Sequence, residues 1–181
     1  MTGYRRAVLA LGSNLGDGLG TLQGCVQAIG GLGDTDVLAI SPVYETVPVG
    51  GPAQPDYLNA VLIVQTGLRP RELLEAAQRI EADFGRVRDE RFGPRTLDID
   101  IISYAGRVST DPVLTLPHPR AHERAFVLAP WHDIDARAEL PGRGAVAGLL
   151  AGLGRDGIRR VPGAVLRRPG PGSAAEGAGP S

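Results

Sequence analysis

The sequence of 181 residues contains no lysine, and all nineteen of its basic side chains are arginine. Without lysine the chain cannot form a Schiff base, and it cannot use the lysine of a phosphate-binding P-loop. Arginine, whose planar guanidinium offers a fixed fork of donors, is therefore the cation available for binding phosphate. We use the absence of lysine only to exclude these chemistries, because biased coding of the sequence would produce the same absence.

Cysteine and long apolar stretches are also scarce. The single cysteine, Cys25, excludes an internal disulfide and a cysteine metal cluster. No apolar run approaches the roughly 20 residues of a membrane span, and the apolar stretch after Arg6 is too short for a secretory signal. The formal net charge of −1 gives no overall field that would attract nucleic acid or a membrane. These features predict a cytoplasmic protein whose electrostatic function is local.

Hydrophobic periodicity predicts an α+β fold. The segments in chain order are a strand at 7–11, a helix at 17–29, strands at 36–46 and 57–66, a helix at 70–84 and a strand at 96–104. This β-α-β-β-α-β order is typical of a ferredoxin-like core, an antiparallel sheet with helices packed against it. A further amphipathic pattern at 146–153 predicts an additional C-terminal helix. The turn at 12–18 lacks the residues of a P-loop and is interpreted as a structural strand-to-helix turn.

The length suits one domain with a core of its own. We expect that domain, with all of the catalytic residues, to cover residues 1–162. After Pro162 the composition changes to proline, glycine, alanine and serine. Such a segment has too little apolar surface to offset the entropy lost on ordering, so residues 163–181 are expected to form a disordered tail.

The strand at 96–104 contains two aspartates, although aspartate is disfavoured in sheets. Because side chains alternate along a strand, Asp98 and Asp100 share one face while Ile99 and Ile101 share the other. The two aspartate Cα atoms are then about 6–7 Å apart. Converging carboxylates at that spacing hold one Mg²⁺ or bridge two. The alternative is a solvated strand face whose aspartates pair with surface arginines.

Four arginines, Arg86, Arg88, Arg91 and Arg95, lie just before that strand. Guanidinium groups beside carboxylates suit a polyphosphate bound with magnesium, because each part neutralises the other. Salt bridges to the two acidic residues of the same loop are the competing interpretation for one or two of the arginines. Phe92, in this loop, has no apolar partner nearby in sequence, which indicates a lid over a flat ring.

The segment 117-PHPRAHERAF-126 places His118 and His122 four residues apart. A proline follows His118 directly and the glutamate of the metalloprotease signature is missing, so the pattern does not favour zinc. His118, Arg120 and Arg124 are interpreted as a second cluster of phosphate-directed donors. A surface patch of the same side chains is the alternative.

Five pieces of the sequence together resemble the 6-hydroxymethyl-7,8-dihydropterin pyrophosphokinases of folate biosynthesis. They follow the family's order between about Arg5 and Leu153, and the Gly-Pro-Arg-Thr-Leu-Asp-Ile-Asp block is highly specific. The pieces are 9-LALGSNLGD-17, 54-QPDYLNAV-61, 78-QRIE-81, 93-GPRTLDIDI-101 and 117-PH-118. The resemblance implies transfer of the pyrophosphoryl group of ATP to the hydroxymethyl oxygen of the dihydropterin, with release of AMP. Both substrates are small molecules; we expect no nucleic-acid or membrane partner, and a monomer.

The resemblance also implies roles for individual residues. Asp98 and Asp100 would be ligands of two Mg²⁺ ions, and Arg86 and Arg95 would clamp the phosphates as catalytic residues. The positions that match ATP contacts are Gln78, Ile101, Thr115, His118 and Arg124. The positions that match pterin contacts are Thr46, Val49, Tyr57, Asn59, Phe92 and Phe126, with Phe92 standing where the family commonly has tryptophan.

Two other functions fit parts of the pattern. A nucleotidyl- or glycosyltransferase would also use an Asp-X-Asp metal site, but it would attach AMP or a sugar to its acceptor. The other alternative is not an enzyme: a ferredoxin-like module that senses a ligand or binds RNA. Carboxylates on the sheet face disfavour RNA, because they repel phosphates unless a metal lies between them.

Overall fold

The computed structural model of the chain describes residues 3–47, 53–85 and 96–170. The predicted site residues Arg86, Arg95, Val49 and Phe92 lie outside these ranges. The elements are, in chain order, β1 (Arg5–Ser13), α1 (Gly18–Gly30), β2 (Thr35–Ile40), β3 (Tyr44–Thr46), β4 (Tyr57–Thr66), α2 (Pro70–Asp83), β5 (Asp98–Tyr104), a 3-10 turn (Ala121–Glu123), α3 (Ala125–Ile134), β6 (Glu139–Leu140), β7 (Gly144–Ala145), α4 (Val146–Leu153) and β8 (Ile158–Arg160).

The main sheet confirms the ferredoxin-like prediction. Its strand order is β5-β1-β4-β3-β8, β2 also pairs with β4, and neighbouring strands are antiparallel. The two central strands, β1 and β4, are therefore the first and third of the βαββαβ core. A separate two-stranded ribbon joins β6 and β7.

The predicted strand at 36–46 is divided into β2 and β3. Both pair with β4, but Ser41 and Pro42 lie between them, and proline has no N–H to donate to a ladder. The Ser41 hydroxyl accepts the backbone N–H of Val61 at 2.8 Å and so replaces part of the interrupted ladder. The chain thereby shifts from pairing with one half of β4 to pairing with the other half, while the buried Val61 N–H keeps a partner.

Helices cover both faces of the sheet. One face packs against α1 and α2, and its buried side chains include Leu9, Leu62, Leu22 and Leu73. The other face packs against α3 and α4, with the buried residues Val8, Val61, Ile63, Leu128, Trp131 and Leu150. Full burial of one such side chain stabilises the fold by about 1.5–3 kcal/mol. The rigid sheet between two packed layers is the platform on which the site is built.

Helix α2 begins and ends as its sequence predicts. Pro70 occupies the first turn, where its missing N–H costs nothing, and the Glu72 carboxylate accepts the backbone N–H of Arg69 at 2.7 Å. At the other end Gly85 has φ +74°, a conformation that glycine adopts without the steric penalty of a side chain. These local signals fix the helix that leads to the arginine loop.

Helix α3 has no counterpart among the sequence predictions. It contains Pro130, which removes one backbone hydrogen bond from the helix interior. Val127, Leu128 and Trp131 are nevertheless buried against the sheet, and their burial outweighs the lost bond. The 3-10 turn before it, at Ala121–Glu123, leads directly into α3, which packs on β4 and β3.

The segment 163–170, which was expected to belong to a disordered tail, packs on α1. Leu166 is buried in the core on the α1 side, and Gln23 makes two hydrogen bonds to the backbone of Arg167, at 2.8 and 2.9 Å. The Arg168 guanidinium also donates to the Leu38 carbonyl. The domain therefore extends past the predicted boundary at 162, because one apolar side chain with backbone partners anchors an otherwise polar segment.

None of the helices in the described ranges combines the length and the apolar character that crossing a membrane requires.

Candidate active site

The predicted metal ligands and several predicted ring-binding residues lie on one face of the sheet. Register places Asp98 opposite Gly12, Gly12 opposite Asn59, and Asn59 opposite Tyr44, so these four residues form one row across β5, β1, β4 and β3. Neighbouring strands are about 4.8 Å apart. The acidic end and the amide end of the row are therefore separated by roughly two strand spacings, with a glycine between them.

Strand β5 confirms the alternation read from its sequence. Ile99 and Ile101 are buried in the core beneath α1 and α2, while Asp98 and Asp100 are half-buried on the opposite face. Past the aspartates the strand has a bulge, at which Ile102 and Ser103 together face one residue of β1. The two carboxylates thus project from the regular part of the strand, on the face that α3 only partly covers.

Arg124 and His118 converge on Asp100. The Arg124 Nη1 donates to Asp100 Oδ2 at 3.3 Å, and His118 Nε2 lies 3.8 Å from the same oxygen. The side chains of all three are only 18–31% exposed, so solvent screens them less than a surface pair. This trio brings cationic and anionic groups together at the edge strand of the sheet.

His118 is uncharged at neutral pH. Burial, and next the nearby Arg124 guanidinium, lower the pKa of His118 from 6.5 to about 4. Its Nδ1 accepts the Arg120 backbone N–H at 3.2 Å, which leaves the proton of the neutral ring on Nε2. Its contact with Asp100 is therefore not an ion pair, and Nε2 is an N–H donor at the acidic end of the site.

Two hydrogen bonds hold the start of β5 in place. The carboxylate of Glu81, a buried residue of α2, accepts the Ile99 backbone N–H at 3.1 Å. The Ser13 hydroxyl, at the end of β1, donates to the Thr96 carbonyl at 2.5 Å. Because the first contact comes from the helix behind and the second from the neighbouring strand, the aspartate-bearing strand is fixed on two sides.

Asn59, Thr46 and Tyr57 form the other end of the row. The buried Asn59 side chain donates through Nδ2 to Thr46 Oγ1 at 2.9 Å. Tyr57 begins β4, and its hydroxyl donates to Gln54 Oε1 at 3.4 Å. An amide fixed by a hydroxyl beside an aromatic ring is suited to a flat, polar-edged ligand.

Asn14 was assigned only to a structural turn, but it lies at the rim of this end. Its Nδ2 donates to Gln54 Oε1 at 2.8 Å and to the Pro55 carbonyl at 3.1 Å, although it is buried to 6% exposure. The turn after β1 is thereby joined to the segment that leads into Tyr57. In the sequence, Asn14 and Gln54 are visible only as members of two separate segments that resemble the family. The contact between them is seen only in the fold.

Arg124 connects the acidic end of the row to Phe126. The Arg124 guanidinium carbon is 5.6 Å from the centroid of the Phe126 ring, which is a cation–π distance. Since Arg124 also holds Asp100, one side chain contacts both a predicted metal ligand and a predicted ring-binding residue. The site is therefore continuous from its acidic end towards its aromatic side.

Three of the predicted nucleotide residues lie around the edge of β5. Gln78 is exposed on α2 three residues before Glu81, and Thr115 is half-buried, with its hydroxyl donating to the Asp111 carbonyl at 3.1 Å. The Ile101 side chain lies in the core on the far face, as the alternation along the strand predicts. The Ile99 N–H, two residues earlier, points away from β1 to Glu81, and alternate residues of an antiparallel strand turn their backbone groups to the same side. On this pattern a nucleotide beside the edge strand would contact Ile101 through its backbone.

Arg120 differs from the cluster predicted for it. Its guanidinium turns to Glu123 at 3.6 Å on the exposed side of the 3-10 turn, whereas Arg124 points to the sheet. His122 likewise contacts Glu123, at 3.5 Å. Of the three predicted donors, His118 and Arg124 therefore face the sheet, whereas Arg120 belongs to a surface patch together with His122.

The acidic pair suits Mg²⁺ rather than a metal held wholly by protein. The described residues contain no group of three or more His, Cys, Asp or Glu side chains that could hold an ion. Mg²⁺ is commonly bound by one or two carboxylates, with water and substrate phosphates as its other ligands. Asp98 and Asp100 offer hard oxygen donors on a half-exposed face, so they fit an ion that arrives with a phosphate ligand.

Transfer of a phosphate-containing group from a nucleotide to a ring compound needs two adjoining sites of these kinds. Fold and site together therefore define a metal-dependent transferase built on a ferredoxin-like sheet. Residues 8–136 match the family model of 7,8-dihydro-6-hydroxymethylpterin-pyrophosphokinase (HPPK). The chain belongs to that family.

Relatives and solved structures agree with this family. A 2-amino-4-hydroxy-6-hydroxymethyldihydropteridine pyrophosphokinase of Pseudomonas aeruginosa is 41% identical over 88% of this chain and 99% of its own length. One of Mycobacterium tuberculosis is 45% identical over 85% of this chain and 88% of its own. An HPPK-DHPS of Plasmodium falciparum, solved with pterin and p-hydroxybenzoate, has a TM-score of 0.68 at 14% identity, and the match covers 87% of this chain. That likeness shows the fold, since this chain spans only 45% of the other protein.

Proposed function

We propose that the face carrying Asp98, Asp100, Asn59 and Tyr57 is the active site of a pterin pyrophosphokinase. The enzyme transfers the pyrophosphoryl group of ATP to the hydroxymethyl group of 6-hydroxymethyl-7,8-dihydropterin and releases AMP, in folate biosynthesis. The observation that carries the assignment is the row in which Asp98 and Asn59 flank Gly12. It supports phosphate binding at one end and pterin binding at the other, with open space between.

Asp98 and Asp100 would hold the Mg²⁺ that accompanies ATP, and bound Mg²⁺ would neutralise phosphate charge during transfer. Arg124 has enough donors to keep Asp100 and also bind a phosphate oxygen. The neutral His118 would donate its Nε2–H to the same group. Such transfers depend more on positioning and charge than on covalent help, and these side chains supply both.

At the pterin end, Asn59 would hydrogen-bond the polar edge of the ring, with Thr46 holding the amide in its orientation. Tyr57 and Phe126 would lie against the two ring faces, because offset aromatic packing favours flat ligands. Buried contact with both faces would also exclude water that could intercept the pyrophosphoryl group.

Several finer expectations remain predictions. Arg86 and Arg95 as phosphate clamps, Val49 and Phe92 as pterin contacts, and the nucleotide roles of Gln78, Thr115 and the Ile101 backbone rest on the family resemblance. The binding of two Mg²⁺ ions, a monomeric state and a cytoplasmic location rest on the same resemblance and on the sequence.

The proposal is tested by product analysis with ATP, hydroxymethyl-dihydropterin and Mg²⁺. AMP and the pterin pyrophosphate are expected only when all three are present. Formation of ADP, AMP attached to an acceptor, or hydrolysis indifferent to pterin would each refute the assignment.

Replacing either acidic ligand should abolish turnover while the fold remains. In Asp98→Ala or Asp100→Ala we expect a loss on the order of 100-fold or more, because metal charge stabilisation is worth several kcal/mol. The measurement is kcat at saturating Mg²⁺, with circular dichroism to verify folding. Asp36→Ala, an exposed strand aspartate on β2, is the matched control and should retain full activity. Near-normal turnover in either acidic variant would contradict the metal role.

A further inference from the structure

Tyr44 makes a short hydrogen bond beneath the pterin end of the site. It is 5% exposed, and its hydroxyl donates to Asp133 Oδ2 at 2.5 Å. The Asp133 side chain, in the last turn of α3, is 18% exposed. A hydrogen bond from a hydroxyl to a carboxylate in such surroundings is among the stronger kinds in proteins.

Two arginines from the C-terminal part of the domain reinforce this contact. Arg155 Nη1 donates to the Tyr44 hydroxyl oxygen at 3.4 Å, and Arg160 Nη2 donates to Asp133 Oδ2 at 3.3 Å. Burial, followed by the hydrogen bond to Asp133, raises the pKa of Tyr44 above its usual value, so the hydroxyl remains protonated at neutral pH. The Asp133 carboxylate is thus oriented by a tyrosine and a guanidinium at once.

The hydrogen bond joins the two elements that carry opposite sides of the proposed pterin pocket. Tyr44 faces Asn59 in the sheet register, and Thr46, two residues further along β3, accepts the hydrogen bond of Asn59. Asp133 follows Phe126 by seven residues on α3, which places both on the same side of the helix about 10 Å apart. Asn59 itself lies on β4, but it pairs with Tyr44 and its amide is held by Thr46, both on β3. Because Phe126 lies on α3, the Tyr44 hydrogen bond fastens to α3 the strand that supports the Asn59 wall.

We infer that Tyr44 and Asp133 are positioning residues that set the width of the pterin pocket by fixing β3 to α3. The inference rests on the proposed function, because it takes Asn59 and Phe126 as walls of that pocket. Neither residue is assigned a contact with the reacting atoms. Their effect should appear in pterin binding and not in the chemical step.

Tyr44→Phe removes the hydroxyl and keeps the buried ring. We expect the KM and Kd for hydroxymethyl-dihydropterin to rise by about 5-fold, the equivalent of one net hydrogen bond. The kcat at saturating pterin and the Kd for Mg-ATP should stay within about 2-fold, because Asp98, Asp100 and Arg124 are unaffected. Steady-state kinetics and calorimetric titration measure these constants.

Tyr104→Phe is the matched control. Tyr104 is 6% exposed and its hydroxyl donates to the Leu68 carbonyl at 2.7 Å, so this variant also loses one buried tyrosine hydrogen bond. It lies at the other end of β5, beyond the bulge, on the α1 and α2 face. A general loss of stability would alter both variants equally, whereas a positioning role raises the pterin KM only in Tyr44→Phe.

A double-mutant cycle that combines Tyr44→Phe with Asp133→Ala completes the test. It gives a second measurement of the contact if one of the variants folds poorly. If the two residues act through one contact, the double variant should bind pterin no more weakly than the worse single variant. Trp131, buried in the same core cluster, reports by its fluorescence whether α3 remains packed. An unchanged pterin KM in Tyr44→Phe, or additive effects in the double variant, would overturn the positioning role while turnover persists. Absence of pyrophosphoryl transfer by the unaltered chain would instead refute the proposed function.

Discussion

Gly12 matters for the side chain that it lacks. It lies between Asp98 and Asn59 in the row across the sheet. A Cβ added there would be 3.4 Å from Asn59 Oδ1 and 3.9 Å from Tyr57 Cδ1, which are ordinary contact distances. The protein itself would tolerate alanine at this position. The glycine is therefore better explained by the space that it leaves on the sheet for the bound pterin.

Gly12→Ala should therefore separate function from stability. We expect the free energy of unfolding to change by less than about 1 kcal/mol, since alanine is at least as compatible with a strand as glycine. The Kd for hydroxymethyl-dihydropterin should rise on the order of 10-fold or more, because overpacking a filled slot costs about 1–3 kcal/mol. Thermal unfolding and titration are the measurements. Gly148→Ala, in the open on α4, should alter neither activity nor pterin binding, and equal pterin affinity in both variants would contradict this explanation.

At the scale of single residues, the sequence predicted positions that depend on local periodicity. Asp98 and Asp100 were placed on a shared face by the two-residue repeat of a strand, and the same repeat puts the Ile101 side chain in the core. The strand repeat does not predict the directions of Arg120 and Arg124. At the 3-10 turn the Arg120 side chain points to solvent, whereas the Arg124 side chain contacts Asp100. That difference depends on tertiary packing of the turn and has no signature in the spacing.

At the scale of elements, two connections determine the shape of the site. The turn after β1 carries Asn14, which is bonded to Gln54 and Pro55 at the entry of β4. Helix α3 carries Phe126 and ends at the Asp133 contact with β3. Elements far apart in the chain are thus held at fixed separations around the proposed pterin pocket.

Asn14→Ala should loosen the segment that leads into Tyr57. Loss of the two donated hydrogen bonds should raise the Kd for hydroxymethyl-dihydropterin by about 5-fold, at roughly 1 kcal/mol net. The affinity for Mg-ATP should be unchanged, because the acidic end is held separately by Glu81 and Ser13. Gln27→Ala, an exposed amide on α1, is the control. Equal weakening of ATP and pterin binding would show that Asn14 supports the fold in general and not this segment.

Helices and strands were predicted correctly where the hydrophobic pattern agreed with the residues that mark the ends of the element. Helix α2 was located by its apolar stripe, Pro70 and Gly85, and the observed helix differs by one residue. The strand at 36–46 was not seen to divide, because the interruption depends on the Ser41 contact with Val61 on a distant strand. Helix α3 was missed because Pro130 weakens its local signal, while its stability comes from burial on the sheet. Both errors involve long-range packing that a local pattern does not contain.

At the scale of the whole molecule, the two faces of the sheet have different tasks. The face under α1 and α2 is a closed core, to which the C-terminal segment contributes Leu166. The face under α3 and α4 is covered only in part, and its remainder carries the proposed site. Stability and catalysis should therefore respond to different substitutions.

Leu166→Ala tests this division, because it removes an apolar contact from the closed core without approaching the site. Leu166 is 7% exposed, so its truncation should cost about 2–3 kcal/mol. For a domain of this size that corresponds to a fall in Tm of roughly 5–10 °C. The kcat and both substrate KM values at 25 °C should be unchanged, since the packing around Asp98 and Asn59 belongs to the opposite face. Val165→Ala, at a neighbouring side chain that is 70% exposed, should leave Tm unaltered. If Leu166→Ala melts like Val165→Ala, the C-terminal segment contributes nothing to the core in solution. If its kcat falls in parallel with Tm, the two faces are not energetically separate.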